Sequence, residues 1–232
     1  MAFILNIDTA TEVCSVSLSE NGKVITIKEI EEEKAHASKL TLLIDQVFRE
    51  TGLTGGKLNA VAVSKGPGSY TGLRIGVSTA KGICYGLGIP LIAVNTLNAM
   101  ASGYKEISDL TGTKTLFCPM IDARRMEVFT AIFDSNLNEM ENTKALIVSE
   151  GSFNQYLPEF TMIFFGSGAE KCKPVLKHKN AVFGEYKHSS AYLTALANEA
   201  YYKSDFENVA YFEPFYLKDF VATIPKRNLF HE

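Results

Sequence analysis

Apolar and polar positions change rhythm several times along this chain, and each change marks an element. Residues 3–7 form a mostly apolar run that predicts a strand, closed by the turn Asp8-Thr9-Ala10-Thr11. Val13 to Leu18 alternates apolar and polar, predicting a second strand, and Asn21-Gly22 predicts a hairpin into a third at 24–27. Glu31-Glu32-Glu33 reads as a solvated charge run beside a helix start, where acids suit the dipole. Leu40, Leu43, Ile44, Val47 and Phe48 then recur at helical spacing, an amphipathic helix ending at Gly52. A buried strand at 58–64, a sparsely charged helix at 73–87, a strand at 90–94 and a short helix at 96–104 follow. The polar link 105–114 is the expected domain boundary.

The second half begins the pattern again. Residues 116–121 predict a strand, Asp122-Ala123-Arg124-Arg125 a turn, and 127–133 a returning strand, so Ile121-Asp122 echoes Ile7-Asp8. Residues 145–148 precede an expected helix near 152–156, and the strand 161–165 runs into Gly166-Ser167-Gly168-Ala169. Residues 191–202 read as helix, and the aromatic tail Pro214-Phe215-Tyr216-Leu217-Lys218 should dock on the protein. Strands alternating with helices in two similar halves predict an α/β fold of two duplicated domains, 1–104 and 105–232. The chain from about 208 is expected to pack back on the first.

The loop Gly66-Pro67-Gly68-Ser69-Tyr70-Thr71-Gly72 joins the strand 58–64 to the helix after it. Pro67 should keep Gly66 extended, Gly68 should supply a conformation that side chains forbid, and Ser69 or Thr71 can cap the helix. Such a turn is either an anion site built from helix N-terminal amides or a tight turn with no ligand. The Gly-Lys-Ser/Thr ending of a phosphate-binding loop is absent, and so is the dinucleotide fingerprint. Within the helix, Gly72, Gly76 and Thr79 or Ala80 make a smooth stripe beside an apolar one of Leu73, Val77, Ala80, Cys84 and Leu87. A helical glycine costs roughly 1 kcal/mol relative to alanine, so close approach of a second backbone is the expected compensation. Arg74 in the first turn opposes the dipole and points either to an acidic neighbour or to solvent.

With 232 residues, 46% hydrophobic and 21% charged, the chain has the composition of a globular protein with a sizeable core. A net charge of -3 and a pI near 5.9 exclude a broadly basic nucleic-acid surface. Cys14, Cys84, Cys118 and Cys172 lack metal spacing and read as buried reduced thiols. No two of His36, His178, His188 and His231 stand four apart on one helix, and His36 reads as a surface or capping residue. No signal-length or membrane-length apolar run is found, so a cytoplasmic protein is expected.

The repeated strand-turn-strand units, each with an Asp at the turn, resemble the actin, sugar-kinase and heat-shock ATPase (ASKHA) architecture, whose turns hold nucleotide phosphates. That family places a glycine two residues after the Asp; here Ala10 and Arg124 stand there. Gly166-Ser167-Gly168-Ala169 resembles the turn that receives adenosine in that superfamily, or is an ordinary loop. A vestigial nucleotide site would gather Asp8, Thr9, Gly68, Ser69, Asp122, Gly166 and Gly168.

Gly66 to Gly76 resembles the signature of the bacterial TsaB (YeaZ) family, supported by Ile7-Asp8-Thr9-Ala10, by Asp122 to Val128 and by Pro214 to Lys218. The resemblance covers essentially the whole chain, most loosely over 143–204. It implies a non-catalytic paralogue of TsaD, the transferase that places a threonylcarbamoyl group on the adenosine beside the anticodon of certain tRNAs. It further implies TsaD as partner, the ATPase TsaE reached through the TsaB–TsaD complex, and a homodimer when TsaD is absent. No cofactor is expected on this chain, ATP and metal belonging to the partner subunits, and little direct tRNA binding. The family's helix-to-helix contact would fall on Gly72, Gly76, Thr79, Ala80 and Ile83 of the glycine-striped helix. From the preceding helix it would take His36, Lys39, Leu42 and Leu43, with Tyr70 and Leu42 as flanks. The alternatives are an ATP-dependent kinase or ATPase of the same fold, or a protease for which no nucleophile can be nominated.

Overall fold

Local sequence explains how each half starts. In a computed structural model describing residues 1–32, 36–108 and 114–218, β1 (Phe3–Asp8), β2 (Val13–Glu20) and β3 (Lys23–Glu31) form an antiparallel meander. Asn21 (φ 49°) and Gly22 (φ 78°) turn the hairpin, residues that tolerate the left-handed region the tight turn needs. Then α1 (His36–Thr51) crosses to β4 (Ala60–Gly66), and α2 (Tyr70–Leu87) to β5 (Leu91–Asn95). Both of these strands run parallel to their neighbour, in the order β3-β2-β1-β4-β5.

After α3 (Thr96–Ile107), a second sheet is built from β6 (Thr115–Asp122), β7 (Glu127–Asp134), β8 (Glu139–Ile147), β9 (Thr161–Phe165) and β10 (Ala181–Phe183). Its order is β10-β9-β6-β7-β8. Each sheet has its first strand at the centre, an antiparallel pair on one side and a parallel pair on the other. Asp8 and Asp122 therefore end corresponding strands.

Leu5, Ile7, Cys14, Val16 and Leu18 turn one face of the first sheet toward α1 and α2, which meet it with Leu40, Val47, Val77, Ala80 and Cys84. The other face receives α3 and the late helix α4 (Thr194–Lys203), with Leu193 and Ala197 against Ile4, Ala60, Ala62 and Val94. Helix α3 also buries Leu97, Met100 and Tyr104 against Phe117, Phe129 and Phe165 of the second sheet, so it joins the two. The tail returns to the first half, where the Phe215 amide donates to the Lys65 carbonyl (2.7 Å) and Lys81 Nζ to the Phe212 carbonyl (2.8 Å).

Several expectations change. No helix forms near 152–156; Phe153 takes φ 67°, and the chain proceeds by successive turns. Strand β8 starts at Glu139, earlier than its apolar end suggests, because its first half is mostly polar and pairs with β7 at the edge of the sheet. Gly66 is not extended but sits at φ 116°, with a cis bond to Pro67. Glu31 closes β3 rather than opening a helix, and Glu33, residues 109–113 of the link and His231 lie outside the described residues.

Candidate functional site

The turns after β1 and β6, the loop 67–72 and the returning tail at Phe215–Lys218 line a cleft of about 1090 Å³. The first turn is sealed against α2. The Ser69 amide donates to the Ala10 carbonyl (2.7 Å), Thr9 Oγ1 donates to the Gly72 carbonyl (2.8 Å), and Ser69 Oγ caps α2 by accepting from the Gly72 amide (3.2 Å). A Cβ at Gly68 would overlap Ala10, at Gly72 the Thr9 carbonyl, and at Gly76 Thr9 Oγ1. These glycines exist for close approach, and what approaches is the chain's own turn. Gly72, Gly76 and Ala80 are buried, which corrects their reading as a partner-facing stripe.

Asp8 does not reach the cleft. It is fully buried, its Oδ2 hydrogen-bonded to His188 Nε2 at 2.7 Å and its Oδ1 accepting from Ser64 Oγ (2.8 Å) and the Ala10 amide (3.0 Å). Burial alone would raise the carboxyl pKa, but the His188 imidazole and these donors hold it below 3.8. Sequence spacing gave no hint of this pair, whose members stand 180 residues apart.

Asp122 is exposed and lines the cleft, its Oδ1 accepting from Lys171 Nζ (2.6 Å) and from the Arg124 amide (2.6 Å). Burial opposes ionisation here too, and Lys171 with the Arg124 amide outweighs it, so the pKa falls. Arg124 (φ 71°) and Arg125 (φ 49°) both occupy the left-handed region at this turn, the conformation that glycine adopts most readily. Glu127 pairs with Lys218. Of the later glycine turn only Ser167 lines the cleft, its Oγ accepting from the Asp122 amide (3.2 Å). A Cβ on Gly166 or Gly168 would strike Met120 or Val128. The structure thus brings Gly68, Ser69 and Asp122 to the cleft, and leaves Asp8, Thr9, Gly166 and Gly168 out of its lining.

Among the described residues no three His, Cys, Asp or Glu side chains converge as a metal site, and no helix is long and apolar enough to cross a membrane. The four cysteines are buried and unpaired; burial pushes Cys14 and Cys84 up to about 11 and Cys118 to about 12. His36 is buried at the start of α1 and lines the cleft, which corrects its reading as a surface residue.

The outer face of α1 and α2 differs from the expected one. Leu43 is buried, Lys39, Thr79 and Ile83 are half-buried, and Leu42 is exposed. Ser78, Gly82, Tyr85 and Gly86 form the solvent side of α2, and a Cβ at Gly82 or Gly86 would meet nothing within 4 Å. Tyr70 is not a flank of that face but a cleft residue, its ring 4.8 Å from that of Tyr216. Arg74 is exposed and lies over the Tyr70 ring at 4.8 Å, so of its two readings the solvent-facing one fits better than the acidic neighbour.

Residues 29–226 match the family described as TsaD, tRNA N6-adenosine threonylcarbamoyltransferase. The tRNA threonylcarbamoyladenosine biosynthesis protein TsaB of Haemophilus influenzae is 34% identical over 126 residues, 54% of this chain and 51% of that protein. The protein of the same name from Escherichia coli is 35% identical over 150 residues, 63% of each. The chain thus spans between half and two thirds of the length of these relatives. A crystal structure from Pseudomonas aeruginosa, of an uncharacterized protein with similarity to peptidase YeaZ, superposes with a TM-score of 0.82 at 22% identity. That superposition covers 94% of this chain and 100% of the other, and it speaks for the fold.

Proposed function

The chain belongs to the TsaD family, in its TsaB (YeaZ) branch, and from that membership we propose that it is a non-catalytic subunit in the formation of threonylcarbamoyladenosine on tRNA, binding and activating a TsaD-type transferase. The observation that carries the non-catalytic part is the sealed first turn. Asp8 is committed to His188, and the amides that would meet a phosphate are bonded to Ala10 and Ser69. In this reading residues 1–104 and 105–232 are duplicated ASKHA-type units, with α4 and the chain from about 208 returning to the first. TsaE joins through the transferase complex, ATP and metal sit on those partners, and the chain alone holds tRNA weakly.

The partner face is the exposed side of α1 and α2, centred on Leu42, Ser78 and Gly82. Glycines 82 and 86 lower helix stability by roughly 1 kcal/mol each with no contact inside the chain to require them. Close approach of a partner helix supplies the reason, and the same face would serve self-association when the transferase is absent. Gly82→Arg should leave the circular dichroism spectrum and thermal midpoint near wild type. It should weaken association with the transferase about a hundredfold or more, an unpaired charge at a helix contact being costly to desolvate. Undiminished co-elution of this variant with the transferase would place the contact elsewhere.

The rival reading, an ATP-dependent kinase or ATPase, predicts that nucleotide enters the cleft at Asp122 and Ser69. Calorimetry with ATP and magnesium should show no micromolar binding to the isolated chain. Tight binding with hydrolysis lost on Asp122→Ala would favour the rival.

A further inference from the structure

The polar positions of β1 and β2, on the sheet face that α3 and α4 cover, lie against one late segment, a strap running from Gly184 through a short 3-10 helix (Ser190–Leu193) and α4. Ser15, Ser17, Ser19, Asn6 and Asp8 all lie beneath it or beside it with no solvent exposure. The strap is seated partly by apolar contact, through Leu193 and Ala197, and partly by hydrogen bonds. Ser15 Oγ accepts from the Ser190 amide (2.8 Å), Asn6 Nδ2 reaches Thr194 Oγ1 (3.4 Å), and His188 holds Asp8. Four buried polar atoms at this seam, Asn6 Oδ1, Tyr186 OH, His188 Nδ1 and Asn198 Oδ1, have no protein partner. A seam so built is weaker per unit area than an apolar one.

What the strap grips is the start of the sealed turn. Asp8 is followed by Thr9 and Ala10, whose contacts fill the space at Gly68, Gly72 and Gly76 and bond the first turn of α2. An unseated strap takes the imidazole from Asp8 Oδ2 and leaves a buried carboxylate held only by Ser64 Oγ and the Ala10 amide, a costly arrangement that favours movement of the turn. Movement of Asp8 would draw on Thr9 and Ala10, which bond α2 at the Gly72 carbonyl and the Ser69 amide.

We propose that His188 is a positioning residue for α2, acting through Asp8, Thr9 and Ala10, so that seating of the strap and ordering of the partner-facing helix form one coupled transition. The link to partner binding rests on the face assigned above; the coupling itself does not.

Hydrogen exchange on the intact chain tests it. In wild-type protein at sub-denaturing urea, amides of Ala197–Ala200 and of Leu73–Gly76 should share one opening equilibrium, reached before strands β6, β7 and β9 open. His188→Ala should raise exchange at least tenfold in both segments and leave those three strands unchanged. His188→Gln, which keeps a donor toward Asp8, should restore most of the α2 protection. Faster exchange confined to the strap, separate opening of the two segments in wild type, or a uniform rise across the chain would each overturn the coupling. If the two segments do loosen together while transferase affinity is unchanged, the coupling stands and the partner-face assignment fails.

Discussion

Gly76→Arg is expected to unfold the chain rather than to detach a partner. Gly76 is buried on α2 with Thr9 Oγ1 occupying the volume of its missing Cβ. Even alanine there must displace Thr9 and break its bond to the Gly72 carbonyl, an overpacking cost of about 1–3 kcal/mol. Arginine adds a long side chain and a charge on the buried side of α2, where Thr9 already fills the space. Costs above about 4 kcal/mol come from such burial of an unpaired charge together with steric conflict, and they approach the whole stability of a domain. Loss of the helical circular dichroism signal and of a cooperative melt is the readout. Gly82→Ala supplies the contrast. Its Cβ meets nothing, so it should stabilise the isolated chain by up to about 1 kcal/mol in urea titration. A folded Gly76→Arg with wild-type melting would show that this side of α2 faces outward after all.

The glycine stripe shows what the sequence could and could not convey. Helical spacing at 72, 76 and 80 identified a smooth face and required something to approach it closely. It could not say what approaches, because Thr9 stands 63 residues upstream of Gly72 and only the fold joins them. Apolar periodicity placed β1, β2, β4, α1 and α2 well, since each carries a continuous stripe for the core. The polar half of the β2 alternation was less legible. Ser15, Ser17 and Ser19 would ordinarily mark a solvent face, yet a strap from the other end of the chain covers them. Asp8 was legible as a turn acid of a nucleotide fold; its capture by His188 was not, because a histidine in an irregular segment has no periodicity to read. The cleft residues divide the same way. Asp122 and Ser69 reach it as their place at strand and helix ends implies; the docking of the aromatic tail was legible from its composition, but not that Phe215 and Tyr216 would line the cleft.

Asp8→Asn is expected to destabilise the fold by about 3–5 kcal/mol at neutral pH, the usual cost of breaking a buried pair from one side. The amide keeps the shape of the carboxylate but carries no charge for His188, and its NH₂ group has to face either the imidazole or the donors Ser64 Oγ and the Ala10 amide. The pH dependence separates this charge effect from one of shape. Asp8 has its carboxyl pKa held below 3.8 in the fold, whereas in the unfolded chain it titrates near 3.8. A depressed carboxyl pKa contributes stability that is fully present above the unfolded value and is lost as pH falls through the folded one. The stability gap between wild type and Asp8→Asn should therefore narrow as pH falls below about pH 4, as wild type loses what the variant never had. Urea denaturation at a series of pH values measures the gap directly, and the other carboxylates cancel in the difference. A gap that stays level to pH 3 would assign the loss to shape alone, and the carboxylate–imidazole contact would then hold no electrostatic share of the junction between the strap and β1.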